Sequence, residues 1–218
     1  MKAFIFDLNG TMVDDMEYHA KAWRRLLNDE LGGSFTADEV KQQMYGKNPE
    51  VLVRMFGQDR FTLDEMNTIS LEKEKQYQAE FLPHLKLVNG LDKFLEAAWQ
   101  KGIPMAIGSA AIPYNIDFVL DNLNIRHYFT AIISADDVEL SKPNPETYIK
   151  AAQKLYVSVT DCLVFEDVPK GAEAALNAGM NAVILTTTHQ QHEFDAYKNI
   201  LHFAADYTGD FFDQLIAG

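Results

Sequence analysis

Five short apolar runs constrain this chain most: "KAFIFD" (2–7), "IPMAIGS" (103–109), "TAIIS" (130–134), "DCLVFED" (161–167) and "NAVIL" (181–185). None alternates cleanly between apolar and polar residues, the pattern of strands covered on both faces. Segments of helical periodicity stand beside them: "GLDKFLEAAWQKG" (90–102), "IPYNIDFVLDNLNI" (112–125), "NPETYIKAAQKLY" (144–156) and "VPKGAEAALNAGM" (168–180). Strand and helix in repetition predict right-handed crossovers and an α/β fold, a Rossmann-like doubly wound parallel sheet. Such sheets bind ligands beyond the carboxyl ends of their strands. Asp7, Ser109, Glu166 and Asp167 all stand at those ends.

Residues 14–88 have a different texture. Met16, Ala20, Trp23, Leu27 and Leu31 recur at helical spacing, and "TADEVKQQM", "NPEVLVRMF" and "TLDEMNTISLEKEKQYQAEF" follow. Each of these opens with a Thr or Asn suited to an N-cap. No strand signal interrupts them. The expected organisation is an α/β core from residues 1–13 and 89–218, with a helical cap inserted at 14–88. The cap would leave and re-enter the core near its ligand edge, and "LGGS" (31–34) reads as a turn inside it.

Composition sets the outer bounds. The 218 residues, 47% of them hydrophobic, can bury one substantial core plus a small accessory lobe. No run approaches the ~18 apolar residues of a membrane span, and Met1-Lys2 leads straight into the first strand, so a cytoplasmic protein is expected; a monomer is the expected state. Cys162 is the only cysteine, which excludes an internal disulfide and a cysteine-rich zinc site; its apolar neighbours predict a buried, inert thiol. With 32 acidic against 19 basic residues, the net charge of −13 argues against nucleic acid and anionic membrane as partners. A small anionic substrate can enter only where the site neutralises charge locally.

"FDLNGT" (6–11), Ser109 after an apolar strand, Lys142 in "SKPNPETY" and "FEDVPKG" (165–171) occur in this order along the chain. Together they resemble the four motifs of the haloacid dehalogenase-like hydrolase superfamily. The inserted helical segment containing "MEYHAKAW" further resembles its β-phosphoglucomutase and phosphatase-like branch. The resemblance implies an enzyme that acts on a small phosphorylated metabolite, a sugar phosphate. It makes Asp7 the nucleophile that forms an aspartyl phosphate, splitting one hard transfer into two easier ones. Gly10 and Thr11 turn the backbone so that amide hydrogens face the transferring group. Ser109 and Lys142 hold phosphoryl oxygens, Lys142 as a point positive charge. Glu166 and Asp167, with Asp7 and the backbone carbonyl of Asn9, form an oxygen-rich set suited to Mg2+. Three local carboxylates binding a dication also remove the objection that so acidic a chain should repel phosphate.

Asn9 departs from the pattern. Relatives that transfer phosphate carry a second Asp two residues after the nucleophile, which protonates the leaving oxygen and later activates the acceptor. An amide can orient a hydroxyl but cannot exchange a proton near neutral pH. Four readings stand open: an engineered Asp→Asn change, a natural weakened or purely phosphate-binding protein, a product of Asn-Gly chemistry, or a branch such as the phosphonoacetaldehyde hydrolases. The last would use Lys47 or Lys73 as an imine-forming amine.

The same resemblance places substrate contacts at His19, Trp23, Lys47, Lys73 and Ala110, with Lys75 as an alternative to Lys73. A surface histidine packed on Trp23 is the rival reading of His19. Two further departures weigh against a β-phosphoglucomutase-type phosphomutase. Pro49 stands where that branch carries an arginine for the distal phosphate, and Ile112 replaces a lysine after Ser109. A phosphatase slowed by Asn9 is therefore the favoured reading, with the mutase and a non-catalytic binding protein behind it.

Overall fold

The structure, a computed structural model, describes residues 2–217. The chain divides into two compact units, one of Met1–Asp14 with Lys86–Gly218 and the other of Asp15–Leu85.

In the first unit the apolar runs form strands β1 (Ala3–Phe6), β2 (Met105–Gly108), β3 (Ala131–Ile133), β4 (Cys162–Glu166) and β5 (Asn181–Leu185). Among the described residues they join a sixth strand, β6 (Ile200–Ala204), in one parallel sheet of order β3-β2-β1-β4-β5-β6. The sixth strand was not foreseen in the sequence. It lies at the sheet edge, pairs only with β5 across a register shift, and stays half-exposed, so it lacks the apolar density that marks its neighbours.

Side chains alternate between the two faces of the sheet. Phe4 and Phe6 of β1 point into an aromatic layer with Phe165, Phe94 of α5 (Leu91–Gln100), Tyr207 and Phe212 of α9 (Asp210–Ala217). Phe6 and Phe165 stack with centroids 4.6 Å apart and planes 8° apart. Ala3 and Ile5 enter the opposite layer with Val164 and with Tyr148, Ala151 and Ala152 of α7 (Glu146–Leu155) and Ala172 and Ala175 of α8 (Pro169–Asn177). α6 (Pro113–Asn122) links β2 to β3.

Strand order reverses between β1 and β4. Chains wound this way open a crevice at the reversal, outside the carboxyl ends of the strands. Register sets Phe6 beside Phe165, and the Asp7 N–H donates to the Phe165 carbonyl at 2.9 Å. Asp7 and Glu166 are thereby fixed side by side by backbone pairing alone.

In the second unit α1 (Met16–Arg25) continues through a π-helical turn at Leu26–Glu30, followed by α2 (Ala37–Gln43), α3 (Asn48–Phe56) and α4 (Leu63–Phe81). Trp23, Leu26, Leu27, Val40, Val51 and Leu52 form its own apolar core. Thr36 and Thr62 cap α2 and α4 in reciprocal boxes with Glu39 and Glu65. The expected cap at Asn48 is corrected: Lys47 occupies the N-cap position and Asn48 is already helical. The Asn48 amide donates instead to Glu74 Oε1, at 2.6 Å.

Candidate active site

The chain leaves β1 through a tight turn. Met12 N–H donates to the Leu8 carbonyl at 2.8 Å and Gly10 N–H to the Val13 carbonyl at 2.7 Å. Gly10 has a φ of +75°, and a Cβ there would lie 2.1 Å from Asp167 Oδ2. Only glycine satisfies both the left-handed backbone and the close approach of that carboxylate. Asn9 is half-buried in the same turn.

Lys142, 9% exposed, reaches the two neighbouring strand tips. Its Nζ donates to Asp7 Oδ1 at 2.7 Å and to Glu166 Oε1 at 2.6 Å. Burial alone would push the Lys142 ammonium down, but Asp7 and Glu166 outweigh it and hold the group charged above its ordinary range. Burial likewise pushes the Glu166 carboxyl up, and the Lys142 charge with hydrogen bonds from Lys142, Tyr148 and the Asp167 N–H brings it below the usual carboxylate range. Among the described residues no cation pairs with Asp167 in this way. Burial and the repulsion of Glu166 and Asp7 drive it well above the ordinary range, against hydrogen bonds from Thr188 and Thr11.

One carboxylate oxygen from each of Asp7, Glu166 and Asp167 lies within 4.8 Å of the others. Three acids against one buried ammonium leave an excess of negative charge, and all the donors are hard oxygens. This residue set fits a divalent cation.

Ser109, 1% exposed, stands at the end of β2, with its N–H on the Ile133 carbonyl at 2.9 Å. Its Oγ accepts from the Ala111 N–H at 3.1 Å, which uses a lone pair and not the hydroxyl hydrogen. The hydroxyl thus caps a two-residue turn, while Ile112 takes the N-cap position of α6. Ala110 lies half-buried in that turn.

Three residues of the site escaped the sequence reading. The Tyr148 hydroxyl donates to Glu166 Oε1 at 2.6 Å. Thr188 donates to Asp167 Oδ2, and Thr187 to the Gly10 carbonyl. A signal existed for Tyr148 only: a tyrosine on the buried face of a helix must find a partner for its hydroxyl. Nothing in the run "TTTH" points to Asp167.

The helical unit holds a polar cluster of its own. Lys73, 1% exposed, places Nζ 2.5 Å from His19 Nδ1 and 3.0 Å from Glu74 Oε2. The same ammonium lies 5.2 Å from the Trp23 ring centroid. His19 is buried and stacks on Tyr77 at 3.8 Å, not on Trp23, so the surface-histidine reading is corrected. The Tyr77 hydroxyl donates to Asp15 Oδ2 at 2.6 Å. Burial lowers the affinity of Lys73 for its proton, opposed by Glu74 and Asp15. Trp23 is 2% exposed within the apolar core, and Lys47 stands at the start of α3.

Residues 1–179 match the haloacid dehalogenase-like hydrolase family. The chain belongs to that family. As a haloacid dehalogenase-like hydrolase it is 32% identical to the fructose-1-phosphate phosphatase of Escherichia coli over 183 residues, covering 82% of this chain and 93% of the relative. It is 30% identical to the β-phosphoglucomutase of Bacillus subtilis over 191 residues, 84% of this chain and 82% of the relative. Among solved structures, a family IA hydrolase from Entamoeba histolytica superposes with a TM-score of 0.85 at 26% identity, covering 100% of both chains. The relatives include phosphatases and a phosphomutase. Among the described residues no helix is long and apolar enough to cross a membrane.

Proposed function

We propose that this haloacid dehalogenase-like hydrolase is a Mg2+-dependent phosphatase of a small phosphorylated metabolite, a sugar phosphate, with Asp7 as nucleophile. The observation that carries the reading is the placement of Asp7 Oδ1 on the Lys142 ammonium, at 2.7 Å, beside Glu166 and Asp167 on the adjoining strand. A nucleophilic carboxylate needs a cation to admit an anionic phosphoryl group, and this one has it.

In the first step an Asp7 carboxylate oxygen bonds to phosphorus as the bond from phosphorus to the sugar oxygen breaks. The sugar leaves as an alkoxide that must gain a proton. Lys142 and the Ser109 hydroxyl orient the phosphoryl oxygens through this step. Water then attacks the aspartyl phosphate and releases inorganic phosphate, restoring the Asp7 carboxylate. Mg2+, held by Asp7, Asp167 and the Asn9 carbonyl with Glu166 beside them, would neutralise charge on the transferring group. Substrate contacts are proposed at Ala110 on the core unit and at His19, Lys47 and Lys73 on the helical unit; Trp23, expected among them, is instead buried in that unit's apolar core, with the Lys73 ammonium over its ring.

Asn9 supplies no proton, so the alkoxide is protonated by solvent and turnover is slow. Positioned acid–base groups contribute about 10²–10⁴-fold in rate. Asn9→Asp is expected to raise kcat on sugar phosphates by about that factor, measured as phosphate release with Mg2+ present. Hydroxylamine should trap the phosphorylated Asp7 in both proteins. Asn9 also favours a second reading, a phosphometabolite-binding protein without turnover. If neither protein releases phosphate across a panel of esters, the enzyme reading fails and that one stands. Pro49 and Ile112, in place of a second phosphate grip, favour hydrolysis over mutase chemistry.

A further inference from the structure

Glu166 is the most enclosed acid of the site. It is 0% exposed, and four donors reach its carboxylate. Oε1 accepts from Lys142 Nζ and from the Tyr148 hydroxyl, both at 2.6 Å. Oε2 accepts from the Asp167 N–H at 2.9 Å and the Val168 N–H at 3.2 Å. An ionised carboxylate offers about four lone-pair positions, so the protein itself fills them all. The first turn of α8 closes over the group as well: a Cβ on Gly171 would lie 1.9 Å from its carboxylate carbon. Asp167 is engaged differently, with one hydroxyl on each oxygen, from Thr11 and Thr188, which leaves acceptor positions open.

Tyr148 ties these pieces together. Its hydroxyl shares Oε1 with Lys142, and its ring lies beneath the ammonium, 4.7 Å from Nζ to centroid. Its ring edge also rests on Gly108, where a Cβ would come within 3.2 Å, next to Ser109. A single buried side chain therefore braces the ammonium, its carboxylate partner and the end of β2.

We propose that Tyr148 is a positioning residue: its hydroxyl fills the last acceptor of Glu166, keeps that carboxylate as counter-ion to Lys142 instead of direct metal ligand, and so sets where the ammonium meets phosphate. Without the hydroxyl, Glu166 gains a free lone pair. It can then draw Lys142 toward itself and away from an incoming anion. The inference rests on the metal-dependent phosphate chemistry proposed above and assigns the direct side-chain ligands to Asp7 and Asp167.

The test uses binding and needs no turnover. Mn2+ is titrated by the paramagnetic resonance of the free ion, and inorganic phosphate is then titrated at saturating Mn2+. Tyr148→Phe keeps the ring, and its thermal unfolding checks the fold. It should leave Mn2+ affinity within about threefold and weaken phosphate by about tenfold, the scale of a hydrogen bond to a charged group. Glu166→Gln, a change behind the direct ligands, should cost Mn2+ affinity about tenfold, and Asp167→Asn, which removes a direct ligand, more than about a hundredfold. Mn2+ lost from Tyr148→Phe or Glu166→Gln as severely as from Asp167→Asn makes Glu166 a direct ligand and overturns the assignment. So does phosphate affinity within about twofold of the unsubstituted protein in Tyr148→Phe. An unsubstituted protein that binds no Mn2+ overturns the proposed function, and this assignment with it. Should Glu166→Gln fail to fold, Tyr148→Phe decides alone.

Discussion

Cys162 shows how a single side chain can report on its surroundings. It is 1% exposed, and Sγ lies 3.4 Å from the Ser158 carbonyl as a weak donor. Burial, with Asp161 adding to it, pushes the thiol up to about 11 from an ordinary 9.0. The fold therefore favours the neutral thiol. Below the unfolded value both states keep the proton and stability is unaffected. Between about 9 and about 11 the unfolded chain releases it first, so stability falls as pH rises. Urea unfolding across this window should show a shallower decline for Cys162→Ala than for the unsubstituted protein, and a disulfide reagent at pH near 8 should label the native thiol only slowly. The burial of this thiol was legible from Leu163 and Val164. So were Asp7, Lys142, Glu166 and Asp167, because each occupies a motif with fixed neighbours. Tyr148, Thr187 and Thr188 were not, because their roles exist only once separate chain segments meet.

At the scale of elements, local chemistry predicts most where an end has to be capped. Thr62 opens the 19-residue α4, its Oγ1 accepting from the Glu65 N–H while Glu65 accepts from the Thr62 N–H at 2.8 Å. Replacing an N-cap threonine by alanine costs about 1 kcal/mol. Thr62→Ala should therefore lower stability by that amount in chemical unfolding, while Thr68→Ala, outside any cap, should cost less. The two threonine caps could be read directly from T-x-x-E spacing. The start of α3 could not, because Lys47 and Asn48 compete for the boundary and the Asn48 amide is committed to Glu74 across the unit. β6 eluded the sequence for a related reason. An edge strand carries His202 and partly exposed residues without loss, since it is buried on fewer sides than β1 or β4.

Across the whole molecule, the net charge of −13 is distributed unevenly in its consequences. Most acids lie on solvated surfaces, where salt screens them and pairs contribute little. The three at the strand tips are buried, so their repulsion is poorly screened and shows in the raised proton affinity of Asp167. Lys142 already serves two of them. That double engagement dictates an order of addition. A lone phosphate entering the crevice would have to outcompete two resident anions for one ammonium, beside a third buried acid that its neighbours already push toward its neutral form. A cation has no such rival and relieves all three. Binding should hence be compulsory in sequence, divalent ion first and phosphate second. Calorimetry is expected to register no heat from phosphate in the presence of a chelator, and initial-rate kinetics of the Asn9→Asp protein should yield the pattern of an ordered pair of reactants.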